Sequence, residues 1–472
     1  MKEYNSIFHE DRFFDPNPEV RKIAWKLYNQ IKNLPIISPH GHVDPKMLAL
    51  NEPFPNPTEL FLIPDHYIFR MLYSQGISLE ELGIPTINEP VKKYDERKVW
   101  KIFAEHFYLF LGTPTGIWLT NELYEIFGIT ERLNGENADE IYDAIQLKLS
   151  EKDFLPRSLF NKFNIEILST TDSACDELEY HKIINETELK GRVIPTFRPD
   201  SLLKITSEEW ADEIKTLSRL TNITIDSFPK FIQAIEERRK YFKSMGCVAT
   251  DHGVRSPYTH ELTTTEVENI FQKSLKNEAS EDDEFLFTAH MLMEFARMSC
   301  EDELVMQLHP GAHRDHNQLI FNKFGKDKGG DIPERTEYTN NLKELLNKYG
   351  NNKKFKLIVF TLDESTYSRE LAPLAGHYPA LKIGPPWWFH DSLEGMKRYR
   401  EHIIETAGFF NTVGFNDDTR AFLSIPARHD VARRMDSNYL AGLVARHIIT
   451  MNEAEYIAHE LTYGLVKREY NL

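Results

Sequence analysis

Residues 35–42 read Pro-Ile-Ile-Ser-Pro-His-Gly-His. The run Pro35–Ser38 (PIIS) is short, apolar and β-branched, which suits a strand covered on both faces. It ends in a polar tip that carries His40 and His42. Runs of this kind recur along the chain: Ile165–Thr170 (IEILST), Arg192–Phe197 (RVIPTF), Gly246–Thr250 (GCVAT), Leu304–Leu308 (LVMQL), Lys356–Thr361 (KLIVFT), Ala380–Ile383 (ALKI) and Asn411–Phe415 (NTVGF). Most are separated by stretches able to hold helices. Strands alternating with helices imply βαβ units and a parallel sheet. Eight such units predict an α/β fold, a (β/α)8 TIM barrel, with a doubly wound open sheet as the alternative.

Active sites of barrels are built at the C-terminal ends of the strands. His40 and His42 stand at positions i and i+2, so in extended backbone they share a side and can ligate one divalent metal. The plain alternative is a pair of surface histidines. Strand three leads into Arg198 and Asp200, strand four into Asp251 and His252, and strand five into His309 with Arg314 five residues on. Strand eight leads into Asn416-Asp417-Asp418-Thr419-Arg420. An acid there can act as third ligand and as base, or merely cap the next helix; spacing does not choose between Asp417 and Asp418. Arg198, Arg314 and Arg420 are fitted to clamp a carboxylate, although each also suits a surface ion pair. Asp65-His66-Tyr67 opens a helical stretch, and Trp387-Trp388 follows strand seven, where a ring can wall a pocket. Ala427-Arg428-His429-Asp430 reads as a solvated face, Glu278–Glu284 (EASEDDE) and Gly325–Asp331 (GKDKGGD) as solvated loops, and Cys247 as core.

Two spacings break the rhythm. Residues 1–34 precede strand one, with a helix pattern over Asn17–Asn33 that places Ile23, Leu27 and Ile31 on one face. Residues 49–157 separate strands one and two, far more than a crossover needs. Trp100, Phe103, Phe107 and Phe110 make a helical stripe there that reads as packing. The organisation read from this is a helical leader at 1–34, a barrel from 35–48 and 158–472, and a helical insertion subdomain at 49–157. This one-barrel reading replaces the roughly three domains that length alone suggests.

Composition excludes several classes. The 472 residues carry 56 Lys and Arg against 73 Asp and Glu, a net charge of −17, which disfavours a nucleic-acid partner. Three cysteines in no CxxC pair give no disulfide framework. The acidic opening lacks a signal peptide's apolar stretch, and no run is long enough to span a membrane, so a cytoplasmic location is expected. No GxGxxG, Walker or GxSxG pattern appears.

The blocks SPHGHVDP (38–45), DHYIFRMLYSQG (65–76), FRPD (197–200), TDHG (250–253), QLHPGAHRDHN (307–317), PWWFHDS (386–392) and FNDDTRAFLSIPARHDVARR (415–434) occur in order over nearly the whole chain. With them the chain resembles the uronate isomerase (glucuronate isomerase) family, a divergent branch of the amidohydrolase superfamily. The resemblance implies an amidohydrolase-type barrel and an aldose–ketose isomerase that converts D-glucuronate to D-fructuronate and D-galacturonate to D-tagaturonate. It implies one divalent metal, zinc, held by His40, His42 and Asp418, with Asp418 preferred because Asp418-Thr419-Arg420 matches the family's motif. It places His309 beside the metal or substrate, and His66, Tyr67, Arg198, Asp251, Arg314, Trp387 and Arg420 around the sugar acid. The chemistry expected is transfer of the C2 proton to C1 through a cis-enediol, with Asp418 as base, Tyr67 as proton relay and His309 in the catalytic group. The partner is then a small hexuronate, with homo-oligomerisation left open. Two positions depart from the pattern: Ser38 stands where many members have Asp, and His390 where Asn is common. A metal-dependent hydrolase such as a lactonase is the alternative on the same barrel; the absence of a lysine at the strand tips favours a single metal.

Overall fold

The computed structural model describes residues 8–89 and 94–472. Residues 1–7, the start of the acidic opening, and residues 90–93 lie outside this description. Helix α1 (Pro18–Ile31) begins where expected: the Asn17 side chain accepts the Glu19 and Val20 N–H groups, and Pro18 needs no donor in the first turn. Its buried Leu27 and Ile31 pack with Leu440 and Leu443 near the far end of the chain.

The strands are β1 (Ile36–Ser38), β2 (Ile165–Ser169, resuming at Asp172–Ser173), β3 (Arg192–Ile194, resuming at Phe197–Arg198), β4 (Ala249–His252), β5 (Val305–Leu308), β6 (Leu357–Val359) and β7 (Leu381–Ile383). Each pairs in parallel with the next in chain order. Thr412 then adds to Ile383 by a single parallel bridge. Among the described residues no ladder runs from this eighth stretch to β1. Side chains connect the two instead: Ile37, Ile167, Ile194, Val305, Ile358 and Val413 form one buried apolar cluster. Strand order and this shared centre match the (β/α)8 arrangement.

Two strands differ from the sequence reading. The fourth starts at Ala249 rather than Gly246, because Gly246 takes φ 92° and its N–H closes the end of the preceding helix on Lys243. The eighth, expected over 411–415, is a 3-10 turn at Phe409–Asn411 followed by one bridge. Gly408 and Gly414 at φ 70° and 82° bound it, so extended pairing has no room to propagate.

Between β1 and β2 lie, among others, α2 (His66–Tyr73), α3 (Glu96–Glu105) and α4 (Pro114–Asn121). Trp100 and Phe103 on α3, with Phe107 and Phe110 of the next turn, are buried beside Ile36, Leu168 and Val193. This core therefore reaches the strands, and each buried ring contributes roughly 2–3 kcal/mol. EASEDDE is only half loop: Ser280 caps α5 (Glu281–Asp302), with Asp283 bonding back in a capping box. The Ala427–Asp430 stretch is not a solvated face. It lies in α6 (Ile425–Ala445), where Arg428 and His429 are buried. No helix among the described residues is long and apolar enough to cross a membrane.

Candidate functional site

β1 delivers His40 into the interior, where it is 2% exposed. The tip is tied on both sides. Thr171 Oγ1 donates to the Gly41 carbonyl at 2.8 Å, and the His42 N–H donates to the Thr419 carbonyl at 3.0 Å. The second bond brings the loop after Thr412 against the two histidines. In that loop the adjacent acids part. Asp417 Oδ2 lies 3.0 Å from His429 Nε2 on α6. Asp418 Oδ1 instead lies 3.4 Å from His40 Nε2 and 3.1 Å from His42 Nε2. Neither acid caps α6, which is entered from Ser424. Asp418 takes φ 40°, in the left-handed region that L side chains seldom occupy.

Electrostatics follow from this geometry. Burial pushes the Asp418 pKa up, but His40 and His42 outweigh it and hold the carboxyl well below the usual range. Burial pushes His40 down, yet Asp418 leaves it raised, while His42 ends lowered because burial dominates there. Asp418 is thus ionised at neutral pH and can serve as ligand or base.

β4 and β5 add a second pair. His309 Nδ1 lies 2.7 Å from Asp251 Oδ1, and Asp251 Oδ2 faces Arg198 at 3.4 Å. Burial raises Asp251, but His309 and Arg198 together drive it well below its ordinary value. With Nδ1 engaged, His309 Nε2 is buried without a partner among the described residues. His309 stacks on His40 at 4.7 Å. One donor atom from each of His40, His309 and Asp418 falls within 4.8 Å of the others. Two imidazoles and a carboxylate, with a buried nitrogen awaiting a partner, fit a divalent metal. His42 stands outside that threefold group but touches Asp418. Ser38 is fully buried, and among the described residues its Oγ has no partner.

Around this floor opens a cavity of about 1180 Å³ lined by His42, His66, Tyr67, Arg198, Arg314, Trp387, Asp418 and Arg420. His40, Asp251 and His309 are buried and do not line it. Tyr67 is aimed by its helix start: the Asp65 side chain caps α2 by accepting the Tyr67 N–H at 2.8 Å. Burial first, then Asp391, holds the Tyr67 pKa well above 10, so it is a proton donor. Burial and nearby Arg420 lower His66 to about 3, so it stays neutral. The arginines are each engaged. Arg198 pairs with Asp200 at 2.7 Å, Arg314 with Asp331 at 2.6 Å and Arg420 with Asp327 at 3.0 Å. Trp118 and Asp391 were given no role in the sequence reading, while Arg428 was read as part of a solvated face and Asp327 and Asp331 as part of a solvated loop. A usable signal existed for Arg428, since Ile425, Ala427, Val431, Ala432 and Met435 surround α6 with apolar residues, as in a buried helix.

A family model described as glucuronate isomerase matches residues 8–470. The chain belongs to the glucuronate isomerase family. It is 52% identical over 467 residues to a uronate isomerase of Nostoc punctiforme, covering 99% of this chain and 98% of that protein. The crystal structure of glucuronate isomerase from Caulobacter crescentus superposes with a TM-score of 0.96 at 50% identity, covering 98% of this chain and 97% of that one. A uronate isomerase from Thermotoga maritima superposes at 0.92 with 27% identity, covering 98% and 99%. The crystal structure of a putative metal-dependent hydrolase from Lactobacillus casei shares the fold at a TM-score of 0.53 with 14% identity. Members of the glucuronate isomerase family are aldose–ketose isomerases, and the hydrolase alternative is not favoured.

Proposed function

We propose that the chain interconverts D-glucuronate with D-fructuronate and D-galacturonate with D-tagaturonate, in the cytoplasm. The observation that carries this reading is Asp418, an ionised carboxylate between two histidines at the floor of an arginine-lined cavity. His40, His42 and Asp418, with His309 beside them, would hold one divalent metal, zinc in this reading. When bound, the metal supplies positive charge that offsets the substrate carboxylate and lowers the pKa of a ligating hydroxyl. Asp418 takes the proton from C2 and returns it to C1. Tyr67, protonated at neutral pH, gives its proton to O1 and recovers one from O2, so the cis-enediol forms and collapses with protons in balance. Arg198, Arg314 and Arg420 neutralise the carboxylate and the developing enediolate charge. His66 and Trp387 complete the pocket, and Asp251, buried beneath it, holds His309. We read residues 49–157 as a helical subdomain inserted in the barrel (35–48 and 158–472), after a leader at 1–34.

Proton NMR of the protein with D-glucuronate or D-galacturonate tests the reading. Ketose signals are expected, lost after chelation and restored by zinc. Lactone opening without ketose would instead support a hydrolase.

A further inference from the structure

We propose that Arg428 is a positioning residue for the isomerisation: it fixes Asp418 and the Tyr67 wall relative to one another, and thereby sets turnover and metal affinity rather than substrate affinity. The proposal rests on the isomerase reading above. Arg428 stands in the first turn of α6, and its side chain is 3% exposed. Its Nη1 donates to Asp391 Oδ2 at 3.0 Å and to the Asp417 carbonyl at 3.2 Å. Its Nε donates to Ser424 Oγ at 3.1 Å. The guanidinium carbon lies 3.5 Å from the Trp118 ring centroid and 5.9 Å from that of Tyr67.

One cation thus joins four separate pieces of the site. The Asp417 carbonyl belongs to the turn that presents Asp418 at its left-handed φ of 40°. A backbone conformation of that kind persists only where its surroundings hold it, and the guanidinium grips the peptide just before it. Asp391 closes the loop after β7 that carries Trp387. Trp118 comes from α4 and Tyr67 from α2, both in the stretch between β1 and β2. Asp391 is also buried, and among the described residues Arg428 is the cation paired with it. Two nitrogens and a plane are used at once: Nη1 serves Asp391 and the Asp417 carbonyl, Nε reaches Ser424, and the guanidinium lies over Trp118. A lysine brings a single nitrogen and no plane, so it cannot make all of these contacts together.

The test compares wild type with Arg428→Lys in kcat, KM for D-glucuronate, zinc affinity by chelator competition, and melting temperature. With zinc loaded, kcat is expected to fall about 10- to 100-fold and zinc affinity to weaken by a similar factor, with KM moving less than about threefold. A folded Arg428→Lys with kcat and zinc affinity both within about twofold of wild type would overturn the proposal. Should Arg428→Lys fail to fold, Asp391→Asn, which keeps the cation and removes its ion pair, takes its place with the same expectation and the same overturning result. A wild type that makes no ketose would sink the isomerase reading instead, and the zinc affinities would still decide whether Arg428 holds Asp418 in place.

Discussion

Asp251 is not itself in the threefold donor group, yet it decides which nitrogen one member of that group, His309, presents. Its carboxylate engages Nδ1 at 2.7 Å and leaves Nε2 free toward His40 and Asp418. Asp251→Asn is therefore expected to weaken zinc binding by about 10- to 100-fold, measured by chelator competition, with the fold retained. At this scale the residues most legible in the sequence were His40 and His42. They stand at the tip of a strand, where chain direction alone aims side chains at the site. Asp417 and Asp418 were not separable by spacing, because what separates them is His429, a partner on a helix that spacing does not bring near. Arg428 was misread for the same reason: a charge between apolar neighbours looks exposed until the surface that covers it is known.

At the scale of elements, the apolar runs located seven strands, since burial on both faces leaves little room for polar residues. The fourth start and the eighth strand escaped, because glycines at positive φ ended or interrupted extension there. The loop at 325–331 was read as merely solvated. It reaches the cavity, and Asp327 holds Arg420 at 3.0 Å. Burial raises Asp327, but Arg420 overcomes it and brings the carboxyl to about 2, so the pair persists at neutral pH. An internal carboxylate on an arginine of the cavity competes with any carboxylate bound there for the same donors. Asp327→Asn is expected to lower KM for D-glucuronate by about two- to fivefold with kcat little changed, a shift of the size one exposed ion pair can supply. Steady-state kinetics check it, and a raised KM would mean that Asp327 helps to hold substrate.

At the scale of the whole molecule, stability should depend on buried neutral histidines. His252 is fully buried with Nε2 2.9 Å from Thr250 Oγ1, and His181 lies 2.8 Å from Thr170 Oγ1. Burial lowers them to about 3 and about 4 respectively. Unfolded, each titrates near 6.5, so the unfolded chain binds the extra proton first. The stability they contribute is complete above about pH 6.5 and is lost as pH falls toward the folded values. At pH 5 each costs about 2 kcal/mol. The melting temperature is expected to drop between pH 7 and pH 5, and a melting temperature unchanged over that range would contradict the assignment. The arginine-lined cavity in a chain of net charge −17 agrees with a small anionic substrate. The central claim, that Asp418 carries the C2 proton to C1, is tested most directly by NMR with D-glucuronate deuterated at C2. Wild type should form D-fructuronate with deuterium at C1, in part or exchanged with solvent, and zinc-loaded Asp418→Asn should lose about 100- to 10,000-fold in rate. Near-normal ketose formation by that variant would contradict the account.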